Sequence, residues 1–250
     1  MMKKTTLFSL LVPAALLVGC HERSAVNGLT VEMLDCPLGV AAEHPRLSWR
    51  IESALPATVQ TGYRILVSTD PGDLETGENL IWDSGDVPSD RSVLVPYEGP
   101  ELESRRDYYW KVRVATNHGD TLWSEPSRWS MALLDDSDWQ ARWIGYDSCL
   151  NRTDTLGVFS RLAARYLRKE FDAGRDIAQA RLYISGLGLY ECYLNGCRVG
   201  EDVLAPTATD YTKTVCYNVY DVTDLLDEGV NTIGVILGNG RFFSMRTVTY

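Results

Sequence analysis

Apolar and polar side chains alternate most clearly along the segment DYYWKVRVA. Tyr108, Trp110 and Val112 occupy every second position, and Lys111 lies between the last two. Because successive side chains of a β-strand point to opposite faces, this period of two predicts a strand that buries the first set. Similar segments between Pro, Gly, Asp and Ser turns predict further strands at residues 46–51, 62–68 and 92–96. Their spacing is typical of a β-sandwich, which we place at residues 27–134.

A second β region follows from the turn signals near the end of the chain. Asn195-Gly196 lies between two apolar segments and predicts a two-residue hairpin, because both turn residues must tolerate positive φ. Thr223 is expected to cap a short helical turn, and Gly229 is expected to end it in the left-handed conformation. Residues 231–237 then resume a buried strand. These elements predict a second sandwich, at residues 166–250.

The segment between the two sandwiches, residues 135–165, is expected to be a linker. It carries Trp139 and Trp143 near its start. Tryptophans beside a domain junction commonly anchor the contact between domains, so we expect both to pack where the two sandwiches meet. Stacking of exposed rings on a sugar is the alternative.

Three segments of the chain form a recognisable series. They are LTVEMLDCPLGVAAEHPRLSWRI, then DWQARWIG, and then the run from GLGLYECYLNGCRVGEDVLAPTATDY to DVTDLLDEGVNTIGVILGNG. In these segments the chain resembles the amino-terminal part of bacterial α-L-rhamnosidases. The resemblance implies an all-β fold of two tandem β-sandwiches, the first fibronectin-type-III-like and the second a galactose-binding-like jelly roll that is incomplete. It also implies that Tyr108 forms a tyrosine corner, that Trp49 is the core tryptophan, and that catalysis resides in a later (α/α)6 barrel absent from these residues.

The first residues predict a lipoprotein leader. Lys3 and Lys4 precede an apolar stretch at residues 7–18, and Leu17-Val18-Gly19-Cys20 has the form of a lipobox. We therefore expect residues 1–20 to be a signal peptide ending at an acylated Cys20, in an exported protein anchored to a membrane at its periplasmic face or at the cell surface. An ordinary secretory leader followed by a chance cysteine is the alternative.

Charge and ligand-forming residues exclude several classes of function. The net charge of −10 would repel a phosphate backbone, so nucleic acid is not an expected partner. Cys192 and Cys197 lie diagonally across the predicted hairpin, beyond usual disulfide reach, and no histidine lies near them. We interpret them as buried thiols, and we expect no metal and no cofactor.

No catalytic residue is predicted in this chain. Glycoside hydrolysis usually needs two carboxylates flanking the scissile bond, whereas the acidic residues around the turn near Thr223 are explained by capping and solvation. Possible contacts with either a sugar or the missing barrel are Tyr211, Arg241 and Phe242, because aromatic faces and a fork of donors suit both. We favour the barrel interface.

The expected function is that of an accessory amino-terminal portion of an exported α-L-rhamnosidase. The family resemblance implies hydrolysis of terminal α-L-rhamnosyl linkages with inversion by two carboxylates. The expected partners are a rhamnose-containing glycan or the missing catalytic barrel. A stand-alone carbohydrate-binding lipoprotein and the amino-terminal part of a β-glycosidase are the alternatives. We also expect the second sandwich to have an open sheet edge and marginal stability.

Overall fold

A computed structural model describes residues 24–145, 155–156, 159–160 and 163–242. The first part of the chain forms two facing sheets of antiparallel strands. Their strands are β1 Ala25–Val31, β2 Arg46–Glu52, β3 Gln60–Ser68, β4 Trp82–Asp83, β5 Val95–Pro96, β6 Asp107–Thr116, β7 Thr121–Trp123 and β8 Ser127–Ser130. One sheet has the order β1-β2-β5, and the other has the order β4-β3-β6-β7, with β8 also paired to β6. This confirms a β-sandwich in the first half of the chain.

Strand β6 is the centre of the first core. Tyr108, Trp110, Val112 and Val114 are 2 % exposed or less, as the alternation predicts. The backbone N–H of Glu103 donates to the Tyr108 hydroxyl oxygen at 2.8 Å, which confirms the tyrosine corner. Because the phenol ties the loop before β6 to the strand itself, it fixes where this central strand begins.

Trp49 lies in the same core and is 1 % exposed. Its indole N–H donates to Gln60 Oε1 at 2.9 Å, and its ring meets Tyr63 edge to face with 5.2 Å between centroids. The hydrogen bond satisfies the N–H of this buried indole. The sequence-based placement of Trp49 in the core is confirmed.

A short helix, α1 Pro71–Thr76, interrupts the β pattern and is not predicted by the periodicity. Asp70 accepts a hydrogen bond from the backbone N–H of Gly72 at 2.7 Å, and Gly77 ends the helix with a φ of 74°. Local capping and a left-handed exit therefore define this helix, together with the buried side chain of Leu74.

The second part of the chain contains a four-stranded sheet facing a two-stranded ribbon. The strands are β9 Thr155–Leu156, β10 Phe159–Ser160, β11 Arg165–Asp172, β12 Arg181–Ser185, β13 Leu189–Leu194, β14 Cys197–Arg198, β15 Tyr217–Asp221 and β16 Val230–Gly238. The sheet has the order β11-β16-β13-β14, the ribbon is β12-β15, and β9 pairs with β10 as a separate short hairpin. The all-β fold with tandem sandwiches is thus confirmed.

The hairpin between β13 and β14 has the predicted turn. Asn195 and Gly196 have φ values of 49° and 84°, and Leu194 pairs with Cys197. Two consecutive positive φ values give a turn whose twist matches that of the strands. The hairpin prediction is confirmed.

The helical turn near Thr223 differs from the prediction in its capping. A 3₁₀ turn spans Thr223–Leu225, and no side chain caps it. The Thr223 hydroxyl oxygen instead accepts a hydrogen bond from the backbone N–H of Ala180 at 2.9 Å. The capping prediction is wrong because this tertiary contact with the residue before β12 takes the hydroxyl. The turn ends at Leu226, whose backbone is extended. Gly229 has the predicted positive φ, of 85°, but lies three residues further along the chain, so it does not end the turn.

The two hairpin cysteines lie in different environments. Cys192 is 1 % exposed, and its burial raises the pKa of the thiol to about 11. Cys197, in contrast, is exposed. The prediction of two buried thiols is wrong for Cys197, because β14 is a two-residue edge strand beyond the covered part of the sheet.

The ribbon β12-β15 has a different neighbour on each face. Leu182 and Ile184 pack against the core of the second domain. On the opposite face, Arg181 forms an ion pair with Asp107 of the first domain, and its Nη1 donates to the carbonyl oxygen of Arg105 at 3.1 Å. The ribbon is therefore shared, with one face in its own sandwich and the other against the first domain.

Further contacts complete this junction between the domains. The Tyr217 hydroxyl oxygen accepts a hydrogen bond from the backbone N–H of Leu133 at 3.0 Å, and Val219 packs against Gly39. A Cβ at Gly39 would lie 2.6 Å from Val219 Cγ2, so only glycine permits this close approach. The junction combines a hydrogen bond, an ion pair and close packing.

Candidate functional site

The main cavity of the second domain is a groove of about 600 Å³ along β12. We call it the β12 groove. Its floor includes Leu167 from β11, Ile184 from β12, and Val235 and Leu237 from β16. Register explains why these residues meet, since Leu167 pairs with Val235 in the sheet and both therefore point to the face that the ribbon covers in part. All four floor residues are only half-buried.

The rim of the β12 groove comes from the segment between the domains and from the end of β16. Trp143 and Ile144 are 61 % and 73 % exposed, and Arg142 is also exposed. The expectation that Trp143 packs between the domains is wrong, because its ring lines the groove. Trp139 does lie at the junction, where its ring is 5.5 Å from that of Tyr217.

The structure brings together two of the three predicted contact residues. The rings of Tyr211 and Phe242 meet edge to face, with 5.6 Å between centroids. Phe242 also lines the β12 groove, whereas Arg241 is exposed in the turn beside it. The Tyr211 hydroxyl oxygen is buried without a hydrogen-bond partner in the part of the chain that the structure describes. Cys20, the predicted lipidation residue, lies outside the described residues.

Polar groups near the groove form a structural network. The Tyr190 hydroxyl donates to Asn218 Oδ1 at 3.0 Å, and the Tyr220 hydroxyl donates to Asp202 Oδ2 at 2.8 Å. Burial raises the pKa of both phenols. The contact with Tyr220 raises the pKa of Tyr190 further. Both tyrosines thus remain neutral donors that connect the ribbon to β13 and to the loop after β14.

The β12 groove is apolar in its chemistry. Among the described residues that line it, none is an Asp or Glu. A glycosidase site of the usual kind needs two carboxylates on either side of the bond that is cut. The described lining of the groove therefore offers mainly apolar contact surface.

The described ranges contain neither a candidate metal cluster nor a candidate membrane-spanning helix. Residues 24–145, 155–156, 159–160 and 163–242 contain no group of three or more His, Cys, Asp or Glu side chains suited to a metal ion. In the same ranges, no helix has the length and apolar character needed to cross a bilayer.

Sequence reasoning missed the residues that form the junction and the groove floor. Arg181 and Asp107 come from different domains, and no local motif links them. Leu167 and Ile184 follow a recognisable period of two, which identifies an inner face but not whether anything covers it. The only local signal was Trp139, whose position beside the boundary pointed to a domain contact.

Comparison with known proteins defines the class of this arrangement. The family described as "Rha78A-like, N-terminal immunoglobulin domain" matches residues 26–135. The family described as "Alpha-L-rhamnosidase N-terminal domain" matches residues 175–249. The chain is thus a tandem of an immunoglobulin-like sandwich and a rhamnosidase amino-terminal sandwich.

Individual relatives agree with that class along most of the chain. An α-L-rhamnosidase of Formosa agariphila is 35 % identical across 94 % of this chain and 27 % of the relative. The structure of an α-L-rhamnosidase from Dictyoglumus thermophilum is 36 % identical with a TM-score of 0.80, covering 87 % of this chain and 25 % of that one. An Aspergillus terreus enzyme of the same name is 30 % identical with a TM-score of 0.69, covering 88 % of this chain and 24 % of that one.

The chain belongs to the α-L-rhamnosidase family and corresponds to the amino-terminal portion of these proteins. It spans about a quarter of the length of the relatives it matches.

Proposed function

We propose that this chain is the accessory amino-terminal portion of an exported α-L-rhamnosidase and does not itself carry the catalytic residues. The observation that carries the proposal is the order of its two domains. The first matches the family of rhamnosidase immunoglobulin-like domains, the second matches the family of rhamnosidase amino-terminal domains, and one α-L-rhamnosidase aligns with 94 % of the chain. Its role is to anchor and position the remainder of the enzyme, which hydrolyses terminal α-L-rhamnosyl linkages.

The contacts of the second domain support a positioning role. Phe242 and Tyr211 form an aromatic pair at one end of the β12 groove, beside the exposed Arg241. An aromatic pair with a nearby guanidinium suits either a polypeptide surface or a saccharide. We assign Tyr211, Arg241 and Phe242 to contact with the catalytic (α/α)6 barrel, because the adjoining groove is apolar and has no carboxylate among its described lining residues.

Rates of glycoside cleavage test the assignment of activity. The 250-residue chain and the complete enzyme chain would each be incubated with an aryl α-L-rhamnoside and, separately, with an aryl β-galactoside. We expect chromophore release only from the rhamnoside and only with the complete chain. Turnover by the 250-residue chain would contradict an accessory role, and cleavage of the β-galactoside by the complete chain would favour a β-glycosidase.

We also propose that Cys20 is acylated and tethers the protein to a membrane. The lipobox at residues 17–20 behind Lys3 and Lys4 supports this. The several acyl chains of a bacterial lipoprotein hold firmly, whereas one chain alone binds only marginally.

Phase partitioning in detergent tests the anchor. Protein expressed with its leader is expected to enter the detergent phase, and Cys20→Ala is expected to move it to the aqueous phase. Cys36→Ala is the matched control, since Cys36 is an exposed thiol in the folded part of the chain. Aqueous partitioning of the unsubstituted protein would contradict the anchor.

A further inference from the structure

The first domain has a groove of its own, of about 730 Å³, beside β1. We call it the β1 groove. Its lining comes from the middle of β1, from the facing part of β2, from the turn after β1 and from residues 125–127 before and at the start of β8. The volume lies within the range of small-molecule pockets, so we asked which ligand its side chains suit.

A β-bulge shapes this groove. The register between β1 and β2 shifts between Asn27 and Thr30, and Gly28 inside the shift has a φ of 58°. A Cβ at Gly28 would lie 2.5 Å from Arg50 Nε, so the absent side chain leaves the space in which the guanidinium lies. Bulges re-aim side chains and are common beside active sites. Here the bulge allows Arg50 to lie against the backbone of β1, within the lining of the groove.

The polar side chains of the groove lack partners of their own. Asn27 Oδ1 is buried and has no hydrogen-bond partner within the described ranges. Asp35, Arg50 and Glu125 are exposed in the lining, and none of their side chains forms a hydrogen bond or an ion pair with a residue that the structure describes. Buried polar atoms are normally hydrogen-bonded, so a donor from outside these residues is expected at Asn27.

Apolar side chains complete the lining. Met33 and Val93 are 61 % and 53 % exposed, and Pro126 is also exposed. A concave surface with apolar contacts and a few placed polar groups is the usual composition of a small-molecule site. The β1 groove therefore combines contact surface for C–H groups with unpaired donors and acceptors.

We infer that the β1 groove binds a neutral saccharide through one or two of its sugar rings. A sugar hydroxyl both donates and accepts, so it donates to Asn27 Oδ1 and to the carboxylates and accepts from Arg50. The C–H groups of the ring contact Met33 and Val93. The inference goes beyond the proposed function and does not depend on it, because binding by the first domain requires no catalytic residue.

Charge disfavours other small ligands. A phosphate group would meet Asp35 and Glu125 beside the single guanidinium of Arg50, and like charges facing each other are unfavourable. An ammonium group would face Arg50 and leave its donors without an acceptor. The described lining also contains no cluster suited to a metal ion. A neutral ligand with several hydroxyl groups pairs with all of these side chains without repulsion.

Nuclear magnetic resonance of the 250-residue chain tests the inference. The neutral probes are methyl α-L-rhamnoside, methyl β-D-glucoside and methyl β-D-galactoside, and the charged probes are methyl β-D-glucuronide and D-glucosamine. We expect at least one neutral probe to shift the side-chain amide of Asn27, the backbone amide of Gly28 and the Nε–H of Arg50, with saturation. We expect both charged probes to bind more weakly than that neutral probe. The amide of Gly229, in the second domain, is the internal reference.

A matched set of variants locates the ligand. Arg50→Ala is expected to weaken binding by about tenfold, because a charged donor is lost. Arg64→Ala is the control, since Arg64 lies in the other sheet of the sandwich, outside the groove lining, and pairs with Asp83. Asn27→Ala should weaken binding without lowering the midpoint of thermal unfolding, because Oδ1 has no partner to lose among the described residues. That split separates ligand contact from a structural role.

Four outcomes would overturn the inference. Unshifted groove signals with all three neutral probes would show that the groove takes no saccharide. A charged probe that binds as tightly as the best neutral one would contradict the neutral class. Shifts confined to the second domain would place sugar binding there, and unchanged affinity in Arg50→Ala would place the contact outside the β1 groove. Rhamnosidase activity enters none of these readouts, so each failure would leave the proposed function standing.

Discussion

Single side chains in the first core act through one or two specific contacts each. Tyr108 combines a buried ring, stacked on Trp129 at 5.3 Å, with an acceptor for the N–H of Glu103. Trp110 is 0 % exposed and stabilises the core because its large ring fills the space between the two sheets. The two residues occupy the same face of β6 but stabilise it by different means, so their substitution should have different costs.

We expect Tyr108→Phe to lower the free energy of unfolding by about 1–2 kcal/mol, because the Glu103 N–H loses its acceptor. Trp110→Ala should lower it by about 3–5 kcal/mol, because it opens a cavity in the core. Chemical denaturation of the 250-residue chain, followed by the fluorescence of the remaining tryptophans, measures both. Tyr109→Phe is the control, since Tyr109 points to the other face. A Trp110→Ala midpoint equal to that of the unsubstituted chain would contradict the register of β6.

Burial controls the reactivity of the hairpin cysteines. Because burial raises the pKa of Cys192 from 9.0 to about 11, its thiol should resist iodoacetamide at pH 8, whereas the exposed Cys197 should be alkylated. The pKa of Cys192 is higher in the folded chain than in the unfolded chain. The stability that follows from this difference is fully present below about pH 9 and is lost as the pH rises towards 11. Cys192→Ala should remove that part of the alkaline loss. Mass spectrometry of the alkylated peptides decides the first point, and rapid labelling of Cys192 at pH 8 would contradict it.

At the scale of the elements, one buried amide holds the second domain together. Asn231 is 0 % exposed, and its Nδ2 donates to the carbonyl oxygens of Asp227 at 2.7 Å and Gly229 at 2.9 Å. Its Oδ1 accepts from the N–H of Asp227 at 2.8 Å and from Asn195 Nδ2 at 2.7 Å. The side chain thus ties the β13-β14 hairpin to the turn that precedes β16.

We expect Asn231→Leu to destabilise the second domain by about 2–4 kcal/mol, because the part-buried backbone groups of Asp227 and Gly229 lose their hydrogen-bond partners at once. Thr232→Val is the control, because this neighbouring residue is not fully buried and its hydrogen bond to Asn195 Oδ1 uses the backbone N–H. Hydrogen exchange of residues 190–194 and 231–237 measures the loss. Unchanged exchange in Asn231→Leu would show that the network contributes nothing to the hairpin.

At the scale of the whole molecule, Arg181 couples the two domains. Its side chain is 9 % exposed, and Gln179 Nε2 also donates to the same partner, Asp107, at 3.1 Å. Burial of the guanidinium opposes its charge, but the ion pair with Asp107 outweighs this and raises the pKa of Arg181. Arg181 therefore stays charged at the junction.

We expect Arg181→Met to cost about 3 kcal/mol, because it leaves the Asp107 carboxylate without its cation and with only the Gln179 hydrogen bond, and it leaves the Arg105 carbonyl without this donor. Calorimetry should then show the second domain unfolding earlier and separately from the first. Arg168→Met is the control, since its ion pair with Glu170 is 65 % and 58 % exposed and such surface pairs contribute little. Identical melting profiles for the two variants would contradict the role of Arg181 as the link between domains.

Much of the fold could be predicted from local pattern, and the functional surface could not. The period of two identified β6, and Asn195-Gly196 identified the hairpin, because both signals depend on neighbours in sequence. The Thr223 cap failed because a residue distant along the chain, Ala180, took the hydroxyl. Trp143 likewise carries no local sign of whether its ring is buried or lines a groove.

Alternation and turn chemistry are local properties, so they identify the main strands, the tight turns and the β-sandwich class of both halves of the chain. Which faces of the strands are covered depends on the folded arrangement. The ribbon β12-β15 reads as two ordinary strands, yet one face packs on the first domain through Arg181 and the other borders an open groove through Ile184. Periodicity gives the two faces of a strand, whereas their neighbours depend on how distant strands assemble, and that assembly creates the junction and the β12 groove.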